Sequence, residues 1–232
     1  MNAEIGATKE LTKVEINKSD INKKTYRVIK RIIDIIGALV GCIALLPLSL
    51  FIWLANIIAK DNGPVFYVHT RIGKNGKEFR MYKFRTMCMN ANEMVKDEES
   101  MKRYFTEEQI EEWKENFKIE DDPRITKIGK ILRKTSLDEV PQVFNILKGE
   151  LSIIGPRPIV EEELEKYGDN KEKFLRVTPG LTGYWAANGR SDIEYEERME
   201  MELYYVDNMS LKLDAQIFFK TIISVLKREG AK

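Results

Sequence analysis

From Ile35 to Ala59 the chain carries no charged side chain, whereas the rest of it mixes polar and apolar positions throughout. An uncharged run longer than ~18 residues is a membrane-helix candidate. Pro47 sits near its middle, where a missing N–H and a ring that clashes with the preceding turn predict a kink. Basic residues crowd both ends: Lys23, Lys24, Arg27, Lys30 and Arg31 before it, Lys60, Arg71, Lys74, Lys77 and Arg80 after it. An excess of Lys and Arg marks the cytoplasmic flank of a span, so both ends read as cytoplasmic. A single spanning helix satisfies one flank. A helix that enters, breaks at Pro47 and returns to the same face satisfies both, and residues 25–60 are read this way, with Lys30, Arg31 and Pro47 as the marks of the hairpin.

Beyond it, Val65 to Val68 predicts a short strand, Arg71 to Lys77 a turn, and Lys77 to Arg85 a second strand, together a hairpin with a basic polar face. Asn90 to Lys118 predicts a charged helical stretch with Met94, Met101, Tyr104, Phe105, Ile110, Trp113 and Phe117 as its apolar stripe. Pro141 to Leu147 predicts a short helix closed by Gly149. Leu211 to Arg228 predicts an amphipathic helix, with Leu211, Ile217, Phe218, Ile222, Val225 and Leu226 apolar and Lys212, Lys220, Lys227 and Arg228 basic. Such a pattern suits a core-packing helix or one in the membrane interface, and the apolar segment upstream favours the interface.

Charge then narrows the function. The 38 basic and 37 acidic residues nearly cancel, which argues against a nucleic-acid binder. Only Cys42 and Cys88 are present, far apart, with a single His69; these donors do not make a zinc site. Residues 1–24 are polar and lack the apolar core of a secretory signal, so they read as a solvated leader.

Candidate chemistry gathers in Asp122-Pro123-Arg124-Ile125-Thr126, Arg133 to Gln142, and Gly155-Pro156-Arg157-Pro158. Acidic residues beside a helix start, bracketed by arginines, suit phosphate recognition, and an acidic side chain there can bind Mg²⁺ that bridges diphosphate oxygens. Ser136-Leu137-Asp138-Glu139 also fits a capping box. Pro141 argues against that fit, because a helix capped at Ser136 would hold proline at an interior position, at a cost of ~3 kcal/mol. Arg124 has a second reading, as a structural partner of Asp121 or Asp122.

In this order the motifs Lys30-Arg31-x-x-Asp34, Arg71-x-Gly73-x-x-Gly76-Lys77, Lys83-Phe84-Arg85-Thr86-Met87, Asp122-Pro123-Arg124, Ser136-Leu137-Asp138-Glu139-x-Pro141-Gln142, Gly155-Pro156-Arg157-Pro158 and Pro179-Gly180-Leu181-Thr182-Gly183 resemble the monotopic phosphoglycosyl transferases, or bacterial sugar transferases. The resemblance covers about Tyr26 to Lys232. It implies an α+β, mostly helical catalytic domain over 61–232, seated on the cytoplasmic face of the bacterial inner membrane by the re-entrant helix and amphipathic helices. The implied reaction moves a sugar 1-phosphate from a nucleotide diphosphosugar, with uridine as the expected base, to polyprenyl phosphate. In it Asp138 is nucleophile and ligand of Mg²⁺, Glu139 is its partner in the dyad, and Lys83, Arg85, Arg133, Arg157 and Arg190 line the substrate site. Direct transfer without a covalent intermediate and a non-catalytic scaffold of the same fold are the rival readings. Two positions depart from the family pattern: Leu46 stands where Ser often precedes the hairpin proline, and Ala186 stands where Gln often precedes Asn188-Gly189-Arg190.

Overall fold

The structure, a computed structural model, describes residues 2–61, 63–116, 119, 121–188 and 194–227. Its described side chains begin at Lys23, within the expected leader, and Phe117, Arg190 and Arg228 lie outside the described residues. The first helix, α1, runs Asn2–Ile58. An antiparallel hairpin follows, β1 (Phe66–Ile72) and β2 (Glu78–Phe84), in a register pairing Tyr67 with Lys83 and Arg71 with Phe79. Asn75 (φ 59°) and Gly76 (φ 73°) turn the chain between them. Helices α2 (Glu98–Tyr104), α3 (Glu107–Asn116), α4 (Lys127–Lys134) and α5 (Val143–Lys148) come next. Then β3 (Ser152–Ile154), α6 (Glu161–Leu164), α7 (Lys171–Leu175), β4 (Gly180–Thr182), α8 (Tyr184–Asn188), α9 (Tyr195–Asn208) and α10 (Leu211–Lys227) complete the fold. The short strands β3 and β4 pair in parallel. The α+β, mostly helical class is the one expected.

In α1, residues Lys23–Ile58 are long and apolar enough to cross a membrane by length and composition. One stripe of this segment is nevertheless core. Asp34, Ala38, Leu45, Ile52 and Asn56 are buried, at helical spacings of four and seven, while Val40, Ile43, Leu46, Phe51 and Ile58 stand exposed. Ala38, Leu45 and Ile52 join Phe79, Met81, Phe84, Leu132, Val143, Ile146 and Leu151 in the principal hydrophobic cluster. Each fully buried aliphatic side chain there contributes ~1.5–3 kcal/mol. Gly37 and Gly41 let α1 close on its neighbours, since a Cβ at either would come within 2.5 Å of Ile153 and 2.6 Å of Val143 respectively.

Polar contacts pin the same helix. Lys30 pairs with Asp214 of α10 at 2.8 Å, Arg31 donates to the carbonyls of Ile146 and Leu147, and buried Asp34 accepts from Ser152 Oγ (3.0 Å) and the Ile153 N–H (2.8 Å). The predicted break at Pro47 does not interrupt the helix, which is assigned continuously through it. Nearby Ser49 Oγ donates back to the Leu45 carbonyl at 2.7 Å, and packing on both sides of Pro47 offsets the missing backbone bond.

The helical stretch expected from Asn90 to Lys118 resolves, among its described residues, into two helices and a short 3-10 turn. Asp97 caps α2, accepting the Ser100 N–H at 2.7 Å, and the chain breaks at Phe105, whose side chain is buried with Met94, Met101, Ile110 and Ile119. Tyr104, assigned to the stripe, is exposed instead. In α10 Ile217 of the expected apolar set is buried, whereas Leu211, Phe218, Ile222 and Val225 form an exposed face, joined by Phe219 and Ile223; the Leu226 side chain lies outside those described.

Candidate active site

Asp138 and Glu139 lie in the first turn of a 3-10 segment, Leu137–Gln142, that leads directly into α5. The expected helix start at Pro141 is therefore part of this tighter turn, which accepts a residue without an N–H, and the α-helix begins two residues later. No capping box forms: Ser136 is left-handed (φ 55°) and its side chain makes no cap hydrogen bond. The turn instead aims both carboxylates at the β-hairpin.

Lys83 shares the β2 face of Phe79 and Met81, one end of which is core. Its ammonium meets Glu139 Oε1 at 2.7 Å. With Lys83 engaged there, the Asp138 carboxylate is left with its own backbone N–H. Burial pushes the Asp138 carboxyl above the usual aspartate range; Glu139 adds to that, and the charges of Lys83 and Arg133 oppose it. Arg133, at the end of α4, is oriented by Thr86, whose Oγ1 accepts from its Nε at 3.0 Å. Burial draws the Arg133 guanidinium below its ordinary value, and Asp138 pulls it back. Asn145 holds the turn against the hairpin. Fully buried on α5, it accepts the Tyr82 N–H (3.1 Å) and donates to the Arg80 carbonyl and to Glu150, both at 2.7 Å.

The other expected residues divide. Arg157, exposed on the loop after β3, extends its guanidinium over the Trp185 ring at 5.6 Å. It is linked electrostatically to His69 of β1, which also feels Arg71 and Lys83 and is drawn below the usual histidine range, chiefly by burial. Arg85, by contrast, faces away from this group: its guanidinium bonds Asp61 Oδ2 (2.9 Å) and the carbonyls of Pro64 (2.7 Å) and Met87 (3.0 Å). It fastens the end of α1 to β2. Arg124 takes its structural reading, in a buried fork on Asp122 (2.6 Å) capped by Trp113 at 4.6 Å. Lys30 and Arg31 reach back to the domain as described.

Glu163, Arg198 and Glu202 carried no motif, and Arg71 stood in one without a role of its own. Arg71, Glu163 and Arg198 meet from β1, α6 and α9, with Arg71 Nη1 3.5 Å and Arg198 Nη2 2.9 Å from the Glu163 carboxylate. Glu202, one turn after Arg198, is 1% exposed and accepts the Arg157 backbone N–H, and burial pushes its carboxyl up to about 7. A polar residue inside an apolar run, as in Val143-Phe144-Asn145-Ile146-Leu147, was the one available signal for Asn145. Among the described residues no three or more His, Cys, Asp or Glu gather as a metal cage. Mg²⁺ asks for less, since it is held by one or two carboxylates and completes its shell with phosphate oxygens and water; Asp138 beside Glu139 fits that demand.

Residues 25–228 match the profile of the family described as bacterial sugar transferase. The undecaprenyl-phosphate galactose phosphotransferase of Salmonella typhimurium is 42% identical over 216 residues, covering 92% of this chain and 44% of that protein. An exopolysaccharide production protein, ExoY, of Sinorhizobium fredii is 44% identical over 204 residues, 87% of each chain. A UDP-N-acetylgalactosamine-undecaprenyl-phosphate N-acetylgalactosaminephosphotransferase of Aeromonas hydrophila is 36% identical over 216 residues, 89% of this chain and 46% of that one. The chain thus spans less than half of the Salmonella and Aeromonas relatives.

Proposed function

The chain belongs to the bacterial sugar transferase family, and on that footing we propose that it transfers a sugar 1-phosphate from a uridine diphosphosugar to polyprenyl phosphate through a covalent aspartyl phosphosugar. The observation that carries the reading is the division of labour in the dyad: Glu139 holds Lys83 at 2.7 Å, and the adjoining Asp138 carboxylate is left free to attack. An Asp138 oxygen forms a bond to the phosphorus that bears the sugar, and the bond from that phosphorus to the nucleotide phosphate breaks, releasing the nucleoside monophosphate. An oxygen of polyprenyl phosphate then attacks the same phosphorus, breaking its bond to Asp138 and regenerating the carboxylate. Splitting one transfer into two steps is the general logic of covalent catalysis. Lys83 and Arg133 offset the repulsion between the carboxylate and the incoming phosphates. A Mg²⁺ held by Asp138 and the donor phosphates would add Lewis-acid charge stabilisation.

We further propose that α1 enters the cytoplasmic face of the membrane without crossing it, so that both its ends stay on that face and the dyad lies at the lipid surface where a soluble donor and a lipid acceptor both reach it. Docking on either side of Pro47 supports this. The stripe from Asp34 to Ile52 lies against one domain for ~27 Å at 1.5 Å per residue, nearly the ~30 Å of a bilayer's hydrocarbon core. A perpendicular span would carry that domain into the hydrocarbon. The exposed apolar face of α10 suits an interfacial position beside it.

The test is a trapped intermediate. Wild type incubated with Mg²⁺ and donor labelled in the sugar, without lipid, should form a labelled protein that polyprenyl phosphate discharges; Asp138→Asn should form none and turn over no donor. Full lipid product from a wild-type enzyme that never carries label would establish direct transfer instead.

A further inference from the structure

At the other end of the hairpin from Asp61 and Arg85, three arginines converge, and among the described residues one carboxylate, Glu163, forms ion pairs with two of them. The Ile72 N–H donates to the Ile159 carbonyl at 2.8 Å, which brings Arg71 beside the Arg157 loop. Arg198 approaches from α9 and shares Glu163 with Arg71; the side chains of both arginines are only 12% exposed. Arg157 and Arg198 lie over the same Trp185 ring, at 5.6 and 5.0 Å. Glu202 also interacts with Arg157 and Arg198, but a buried carboxyl pushed up to about 7 is a weak counter-charge. The arrangement is therefore a half-buried excess of positive charge, which is costly unless an anion completes it. Among the described residues the Nε atoms of Arg71 and Arg198 and the Nε1 of Trp185 are buried with no hydrogen-bond partner, whereas buried donors are ordinarily satisfied.

We propose that Arg71, Arg157 and Arg198, around Trp185, form the subsite for the donor phosphate that departs with the nucleoside. The assignment rests on the sugar 1-phosphate transfer proposed above and divides its diphosphate between two groups: Lys83 and Arg133 receive the phosphate that is transferred, the arginine group the one that leaves. Contiguity supports the division, since His69 lies within the electrostatic reach of Lys83, Arg157 and Arg71 together. So does position. The hairpin is tied to the end of α1 by Arg85 and Asp61, and Arg71 stands five residues along β1 from Phe66, ~17 Å further out at 3.3–3.4 Å per residue. That end suits a water-soluble nucleotide rather than a lipid phosphate. Guanidinium groups are the natural partners of a phosphate dianion, because their planar forks bind it bidentately.

The full chain in detergent is titrated calorimetrically with UMP, GMP and inorganic phosphate, and its KM for polyprenyl phosphate is measured in parallel. Arg71→Gln and Arg198→Gln should each weaken nucleoside monophosphate binding by about tenfold or more, the scale of one charge-assisted contact, and leave the lipid KM within about twofold. Glu163→Gln keeps hydrogen-bonding capacity but removes the competing charge, so it should tighten nucleoside monophosphate binding several-fold. Asp138→Asn should bind UMP as wild type does, which separates this subsite from the covalent step: a failed adduct experiment with intact UMP binding refutes the nucleophile and not the arginines. The proposal is overturned if folded Arg71→Gln and Arg198→Gln bind nucleoside monophosphate like wild type. It is equally overturned if they raise the lipid KM alone, or if an active wild type binds neither UMP nor GMP. Should the arginine variants unfold on heating at much lower temperature than wild type, Glu163→Gln decides: unchanged or weaker binding overturns the subsite.

Discussion

Gly129→Ala is expected to damage the active site from a residue that touches no substrate. Gly129 is the third residue of α4, and a Cβ there would lie 2.0 Å from the Thr86 carbonyl oxygen and 2.7 Å from its carbon. Both are backbone atoms, so no rotamer relieves the clash. To restore the 3.4 Å at which ordinary contact begins, α4 must move by about 1.4 Å, the difference between 3.4 and 2.0 Å. Three bonds to Thr86 stand in the way: Thr126 N–H (3.0 Å) and Thr126 Oγ1 (3.3 Å) to its carbonyl, and Arg133 Nε (3.0 Å) to its hydroxyl. Losing them at ~1 kcal/mol each, against a helix-propensity gain of ~1 kcal/mol for alanine over glycine, leaves a net loss of about 2 kcal/mol. For a chain of this size that is roughly 4–8 °C in Tm. Arg133 moves with the helix, and a displacement on the order of 1 Å at a catalytic group can cost ~100-fold in rate. Tryptophan-monitored unfolding in detergent and nucleoside monophosphate release measure the two effects, with exposed Lys130→Ala as the neutral control on the same helix. A Gly129→Ala protein with unchanged Tm and turnover within about threefold of wild type would refute the argument that Thr86 couples α4 to the dyad.

Chelation should silence turnover and added Mg²⁺ restore it, and full activity in EDTA would remove the metal from the reaction. Lys83→Met takes away a charge that lowers the Asp138 carboxyl, so the pH at which adduct formation falls to half should move upward; an unmoved acid limb contradicts Asp138 as the titrating group. Because the Asp138 carboxyl is raised by folding, its stabilising contribution is present below the unfolded value of about 3.9 and is lost as pH rises through the folded one. Asp138→Asn should therefore unfold at a higher temperature than wild type at neutral pH, an advantage that vanishes in acid. For topology, single cysteines at Lys24 and Lys74, in a protein lacking Cys42 and Cys88, should both resist an impermeant thiol reagent in intact cells and react after lysis, whereas labelling of Lys24 alone from outside would mean a spanning helix.

The apolar segment, the hairpin, the dyad turn and the final helix were legible because each rests on a local signal: an uncharged run, an alternation, a proline, a helical stripe. Their limits came from neighbours the sequence does not place. Pro47 signals a lost hydrogen bond but says nothing of Ala38, Leu45 and Ile52, whose packing on both sides keeps the helix continuous. Lys83 on β2 and Arg85 just past its end stand two apart and read alike, yet one faces Glu139 and the other is consumed by Asp61, a residue whose position depends on where α1 ends. Arg71, Glu163 and Arg198 are separated by long stretches of chain, and no spacing links them; the bridge from Ile72 to Ile159, which sets β1 beside the segment leading into α6, is a tertiary contact. The Asn90 to Lys118 stretch reads as helical without showing where it breaks, because its charges mask the break at Phe105, and its role as the wall that stacks Trp113 on Arg124 is tertiary.

The helix offered to the lipid is also an inner wall of the enzyme. Ala38, Leu45 and Ile52 sit in the same cluster as Phe79, Met81 and Phe84, so the strand that carries Lys83 is braced from behind by the segment that anchors the protein. Anchor and catalyst are in this sense one folding unit rather than a module on a leash. Trimming the apolar segment to obtain a soluble enzyme would strip the hairpin of its backing.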